Sequence, residues 1–188
     1  MYLQKSISRI TDFSLTLLLW SYYLCSSIVL FFFCYLPAYF FSANRAAAIQ
    51  KYTHIQMKNF FKLTQWLIPR TRFTIQDEVR RLRSSVIVCN HLSYLDPILL
   101  ISLLPQQRTI VKNTFFKIPF FGWFMRNAGY VPSAPSEMLG EAMIKNLESI
   151  KEYLATGGNL FVFPEGTRSR DGKLAPFNKG AFSIAHYC

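Results

Sequence analysis

Acidic residues are scarce in this sequence. Ten aspartates and glutamates face 21 lysines and arginines, a formal net charge of +11. Such a balance suits anionic partners: nucleic acid, an anionic membrane surface or an acidic carrier. No recognised nucleic-acid-binding motif accompanies the charge, so nucleic acid is not expected among them. The four cysteines (Cys25, Cys34, Cys89 and Cys188) form no CxxC pair and no metal-ligand spacing, and they read as reduced and structural. Charge itself is missing from Phe13 to Ala43. That stretch exceeds the roughly 20 residues a helix needs to cross a bilayer. It is too long for a cleaved signal peptide, and no clear small-x-small site closes it.

What the chain has in plenty is apolar surface. Residues of the hydrophobic class make up 51%, with 18 phenylalanines, rich for a soluble domain and suggestive of lipid contact. The length allows one domain with a moderate core. Basic residues gather after the apolar run, from Arg45, Lys51, Lys58 and Lys62 to Arg70, Arg72, Arg80, Arg81 and Arg83, against Lys5 and Arg9 before it. The positive-inside bias then places the C-terminal side in the cytoplasm. Pro37 is expected to kink or end the first helix. Asn44 to Leu67 reads as an amphipathic helix with Ile49, Tyr52, Gln56, Phe60, Leu63 and Leu67 on one stripe. It either lies in the headgroup plane or packs on the domain, and with the preceding run it can form a hairpin dipped into one leaflet. Residues 1–68 are thus expected to be a membrane-anchoring helical region, and 69–188 an α/β domain.

Two polar blocks each follow a short apolar run. Val86-Ile87-Val88-Cys89 leads into Asn90-His91-Leu92-Ser93-Tyr94-Leu95-Asp96-Pro97. Five residues along a helix is about 500° of rotation, so His91 and Asp96 would not share a helical face and must meet across a turn. There the carboxylate can hold one ring nitrogen and leave the other to take a proton. The plainer alternative is Asp96 capping a helix that Pro97 opens. Leu160-Phe161-Val162-Phe163 leads into Pro164-Glu165-Gly166-Thr167-Arg168-Ser169. Its glycine lets backbone approach a ligand closely, and arginine's planar fork suits phosphate or carboxylate. An ordinary surface turn is the alternative there.

Together the blocks resemble the NHxxxxD and FPEGTRS motifs of the glycerolipid acyltransferase family, and most of all its 1-acyl-sn-glycerol-3-phosphate acyltransferases. The likeness covers about residues 70 to 185. It implies transfer of a fatty acyl group from a thioester, acyl-CoA or acyl-carrier protein, to the free hydroxyl of 1-acylglycerol 3-phosphate. His91 would act as base and Asp96 would orient it. Arg168 would bind the phosphate, with Gly166 and Thr167 shaping the cradle. Glu165 belongs to the substrate site by the same likeness, without a clear physical role beyond positioning Arg168. Lys112 and Lys179 are lesser candidates for phosphate or carrier contact. No cofactor and no metal are implied, and the spacing of His91, Asp96 and Glu165 gives metal ligation no support. Other lysophospholipids or glycerol 3-phosphate are alternative acceptors, and a non-catalytic lipid-binding relative is the alternative outside the enzyme class.

The rest of the chain alternates strand and helix. Strands are expected at Phe73-Thr74-Ile75, Ser85 to Cys89, Thr109-Ile110-Val111 and from Gly129. Helices are expected from Pro97 to Leu104 and from Ser136 to about Thr156, where Met143, Leu147, Ile150 and Leu154 mark a core stripe. This order predicts a layered α/β domain around a mostly parallel sheet, with both motifs at strand C-terminal ends. Lys112 to Gly122 matches a KxxFxxxPxxG segment of the family and reads as an acyl-chain wall or a core cap. Gly129-Tyr130-Val131-Pro132 resembles a family strand that commonly ends in an arginine. Here Ser133, Ala134 and Pro135 stand in that place. The family normally continues past Phe177-Asn178-Lys179-Gly180-Ala181 into a further strand and helices, so the domain is expected to be C-terminally incomplete at Cys188.

Overall fold

The computed structural model describes residues 2–133, 141–169 and 171–188, with the side chains of 2–8, 141–143 and 181 outside that description. The apolar run forms α1 (Tyr2–Leu30), a π-helical turn (Phe31–Tyr35) and α2 (Leu36–Phe41) without a break. Pro37 explains the turn. It has no N–H to donate, and its ring would crowd a carbonyl of the preceding turn. The wider π-turn just before it, closed by the Leu36 N–H on the Phe31 carbonyl, lets the helix continue instead of ending. From Arg9 to Phe41 this run is long and apolar enough to cross a membrane.

Asn44 caps α3 (Arg45–Leu67), its Oδ1 accepting the Ala47 N–H at 3.0 Å. Helix α3 folds back on α1 and also lies against α5 (Leu95–Leu103). Its buried face is Ile49, Gln50, Thr53, Gln56, Met57, Phe60 and Phe61, rotated from the expected stripe because polar residues are used inside. Gln56 Nε2 donates to the Ser26 and Ser27 hydroxyls of α1, both at 2.8 Å. Thr53 gives its hydroxyl proton to the Ile49 carbonyl and accepts from Tyr35 at 2.9 Å. Gln50, fully buried, donates to the Ala128 carbonyl and accepts from the Tyr153 hydroxyl, each at 2.7 Å. Hydrogen-bonding both ends of the amide removes the cost of burying it.

Four parallel strands follow: β1 (Val86–Val88), β2 (Gln107–Val111), β3 (Val131–Pro132) and β4 (Asn159–Val162), in the spatial order β1-β4-β2-β3. The expected strand at 73–75 is absent. Residues 71–76 are irregular, and Phe73 turns onto the Phe61 ring at 5.1 Å. Side chains of β4 alternate between two cores. Phe161 joins Ile49, Met57, Leu100, Ile101 and Met125 on one face, while Leu160 and Val162 join Ile150 and Leu154 on the other. The second face is covered by α8 (Glu141–Ala155) and α9 (Lys179–Tyr187). Ile150 and Leu154 thus hold the core places the helical spacing predicts. Met143's side chain and the expected cap Ser136 lie outside the described residues.

The phenylalanine-rich segment forms two short helices, α6 (Asn113–Phe116) and α7 (Phe121–Asn127), after the short α4 (Asp77–Arg81) earlier in the chain. Phe120 joins them with a positive φ of 59°, rarely adopted by a residue with a Cβ. Its ring meets Phe31, whose ring also packs on Trp123. Gly122 lies directly on the Phe116 carbonyl, and a Cβ there would occupy the oxygen's own space. That carbonyl is also fixed by Arg126 Nη1 at 2.7 Å. Gly122→Ala is therefore expected to force α6 and α7 apart, at a cost of about 1–3 kcal/mol for overpacking. A thermal melt of the variant checks this; an unchanged melting temperature would show that the turn relaxes freely.

Candidate active site

Because every strand runs the same way, β1, β4 and β2 deliver their following loops to one edge of the sheet. The first loop carries His91, the second Glu165 to Ser169, and the third opens on Lys112. Parallel sheets gather ligand sites at this edge.

His91 and Asp96 meet across a turn. Asp96 begins the second position of α5, and its Oδ2 lies 3.1 Å from His91 Nδ1. The same oxygen accepts the backbone N–H groups of Leu92 and Ser93, both at 2.7 Å. Toward these amides the oxygen serves as acceptor. Nδ1 therefore carries a proton and donates it to Asp96, leaving the Nε2 lone pair unengaged. The expected base-and-orienter geometry is present; the plainer capping role is not, because Tyr94 is the N-cap of α5 without a side-chain cap bond and Asp96 holds the amides of the loop before the helix.

The second loop grips the first through His91's backbone. His91 N–H donates to Glu165 Oε1 at 2.9 Å, and the His91 carbonyl accepts the Ser169 N–H at 2.8 Å. Phe163 stacks on the imidazole at 4.3 Å between ring centroids and a 25° tilt. Only χ1 and χ2 remain to be fixed, and Phe163 and Asp96 fix them. Glu165 is buried, 5% exposed. Its second oxygen accepts the Ala175 N–H at 3.1 Å, tying the segment after the motif to the same point. Glu165 thus holds backbone and makes no ion pair with Arg168 among the described residues.

Arg168 lies instead over the Tyr94 ring, with Cζ 4.1 Å from the centroid. An aromatic face attracts a guanidinium and leaves its N–H edge to bind outward. Tyr94 comes from the first motif, so the cation stands beside the histidine loop. Gly166 takes a φ of +66°, and a Cβ there would approach Asn178 Nδ2 to 2.8 Å. Asn178 itself donates its N–H to the Pro164 carbonyl at 2.7 Å. Thr167 is exposed, and so are Lys112 and Lys179. Lys112 shares the sheet edge at the start of α6, and Lys179 opens α9; among the described residues neither forms a hydrogen bond with the His91 or Arg168 side chain. Ser133 bonds the Val111 carbonyl, and residues 134–140, where the family arginine would fall, lie outside the described residues. Burial and the Asp96 charge push the neighbouring Cys89 thiol up, in that order of weight, so it stays a neutral packing group.

Phe163, Tyr94, Ser169 and Ala175 are site residues that residue-type reasoning does not single out. The first three lie inside the two motifs. Ala175 acts through its backbone and leaves no mark in the sequence.

A family model described as Acyltransferase matches residues 70–188. The chain is 44% identical over 100 residues to a chloroplastic 1-acyl-sn-glycerol-3-phosphate acyltransferase of Brassica napus, covering 53% of this chain and 28% of that protein. It is 35% identical over 105 residues to the 1-acyl-sn-glycerol-3-phosphate acyltransferase of Saccharomyces cerevisiae, covering 53% and 34%. The chain thus spans about a third or less of these relatives' length. The crystal structure of the 1-acyl-sn-glycerophosphate acyltransferase PlsC from Thermotoga maritima superposes with a TM-score of 0.57 at 25% identity, over 91% of this chain and 69% of that one. With an α/β domain of this topology and a family match across its whole length, the chain belongs to the acyltransferase family.

Proposed function

We propose that this protein transfers a fatty acyl group from a thioester to the free hydroxyl of 1-acyl-sn-glycerol 3-phosphate, giving phosphatidic acid. The observation that carries the reading is the His91–Asp96 pair with its unengaged Nε2. Nε2 takes the hydroxyl proton as the substrate oxygen bonds to the thioester carbonyl carbon. Collapse of the tetrahedral adduct breaks the carbon–sulfur bond, and the imidazolium returns the proton to the leaving thiolate. No acyl-enzyme is needed. The oxyanion requires N–H donors. Those of His91, Leu92 and Ser93 are occupied, whereas the amides of Thr167 and Arg168 donate to no other described residue and are assigned this role.

Arg168, braced on Tyr94, takes the acceptor phosphate. Acyl-CoA and acyl-carrier protein are both acidic and both fit the basic surface as donor. The domain works at the cytoplasmic face of a membrane, held there by the run from Arg9 to Phe41. The test is transfer of labelled acyl groups from either donor to lysophosphatidic acid, lysophosphatidylcholine and glycerol 3-phosphate, in membranes carrying this chain. Transfer to lysophosphatidic acid above the others is expected; a preference for another acceptor reassigns the substrate, and silence with every acceptor removes the enzyme reading.

Arg168→Ala is expected to raise the KM for lysophosphatidic acid about 10- to 100-fold, the worth of a hydrogen bond to a charged group. Monoacylglycerol, which has no phosphate, should be used no worse by the variant than by the parent. Equal losses on the two acceptors would place Arg168 outside the phosphate site.

A further inference from the structure

A cavity of about 200 Å³ opens between α3, the irregular 73–76 segment, α4 and the later part of α5, and no residue of the His91 or Arg168 loops lines it. Its floor is apolar, formed by Phe61, Phe73, Leu99 and Leu103. Lys58, Lys62 and Arg80 line it as well. Lys58 and Lys62 are four residues apart on one helix, a spacing at which like charges repel. No carboxylate lines the cavity, and among the described residues none of the three cations is within ion-pair distance of one. The nearby Asp77 and Glu78 belong to α4 but make no such pair. The field of Lys58 is felt at half-buried His54, whose imidazole pKa is pushed down by burial first and, after the opposing bond to the Ile101 carbonyl, by Lys58. A cluster of unneutralised cations above an apolar floor is complementary to an anion carrying hydrocarbon.

The size of the cavity narrows the choice. Sites that enclose a whole drug-sized ligand run to about 300–1,000 Å³, so this one admits a phosphate and the first methylenes, and leaves the rest of the molecule outside. Trp66 stands one turn beyond Lys62 on the same helix and is 74% exposed, the position and residue type of an interfacial anchor. The paired helix α1 presents Ile10, Phe13, Leu17, Trp20, Leu24 and Ile28 outward. A ligand whose chains remain in a membrane while its headgroup enters protein satisfies all three observations.

We infer that the cleft between α3, α4 and α5 binds the headgroup phosphate of an anionic membrane phospholipid, a site separate from the one at His91. The phosphate lies among Lys58, Lys62 and Arg80, and the glyceryl end of its chains rests on Phe61 and Leu103. Lipids with a choline headgroup bind poorly, because no acid in the cleft receives the choline.

The test uses the full chain in phosphatidylcholine nanodiscs with a small fraction of phosphatidylglycerol bearing a diazirine on its acyl chain near the glycerol. Phosphatidylglycerol has no phosphate monoester and is not an acceptor of the proposed reaction, so the result stands apart from catalysis. Crosslinks are expected on 58–80 and 99–103. Lys58→Gln/Lys62→Gln/Arg80→Gln should lower their yield at least fivefold, while Lys51→Gln/Arg83→Gln/Lys145→Gln, with the same loss of charge, should change it less than twofold. Lys62→Glu, a single change at an exposed position, gives the same comparison if the triple variant fails to fold, and should lower the yield at least threefold. Equal yields in the two triple variants, crosslinks confined to other segments, or displacement by coenzyme A but not by unlabelled phosphatidylglycerol would each overturn the site.

Discussion

His91→Ala is expected to lower kcat/KM for acyl transfer about a thousandfold, with the melting temperature nearly unchanged. General-base catalysis contributes about 10²–10⁴, and no other described side chain is placed to replace the imidazole at the sheet edge. The fold should tolerate the change because the grip on position 91 runs through its backbone: the N–H to Glu165 and the carbonyl to Ser169 survive in alanine. What is lost is the stack on Phe163 and the bond to Asp96. Asp96 keeps its two amide donors, so its carboxylate is not stranded. Asp96→Asn should lose less activity than His91→Ala while shifting the pH profile, since an amide can present its N–H to Nδ1 and favour the wrong tautomer. A His91→Ala protein that retained a tenth of the parent rate would remove the histidine from the chemistry.

Glu165→Ala should cost both activity and stability, by a different route. The carboxylate accepts two backbone N–H groups from segments 84 residues apart in sequence, at His91 and Ala175. Removing it strands two donors at a 5% exposed position. Each hydrogen bond to a charged group is worth about 1.5–3 kcal/mol, so a loss on the order of 3 kcal/mol is expected, read as a fall in melting temperature of several degrees. Catalysis should fall about a hundredfold in kcat with little change in acceptor KM, the reverse of Arg168→Ala. Glutamine is a poor substitute, because its NH₂ would face one of the two donors. Glu165→Gln should therefore lie between parent and alanine in both measurements. A Glu165→Ala enzyme whose defect lay wholly in acceptor KM would return this residue to the substrate site.

The place of the candidate site was legible from residue type. His91, Asp96 and Arg168 stand out because few residue types can move a proton or hold a phosphate, and the strand before each block places it at the sheet edge. Glu165 was legible as a participant but not in its role. Its partners are amides, which every residue has, so composition carries no trace of the bond. Helix α3 forms as expected, and Ile49, Gln56 and Phe60 of the expected stripe are buried, but the buried face is turned toward Gln50 and Thr53, 1% and 3% exposed, whose polar side chains gave no sign of burial. The expected strand at 73–75 had the right β-branched and aromatic residues but no neighbour. Edge strand β1 pairs with β4 alone, and a strand without a ladder is only extended chain.

The order of the sheet sets a timetable for synthesis. β4 lies between β1 and β2, yet it is the last of the four to leave the ribosome. Until Val162 has emerged, β1 has no partner and the β2–β3 pair has nothing to join. Such open edges are prone to wrong pairing in a growing chain. The apolar run, by contrast, is complete at Phe41, about 120 residues earlier. At about 5–20 residues per second that interval is roughly 6–24 seconds, long enough for the hydrophobic leader to engage a bilayer first. The histidine loop acquires its second half only after that delay, so the apolar helix is complete well before the His91 site is.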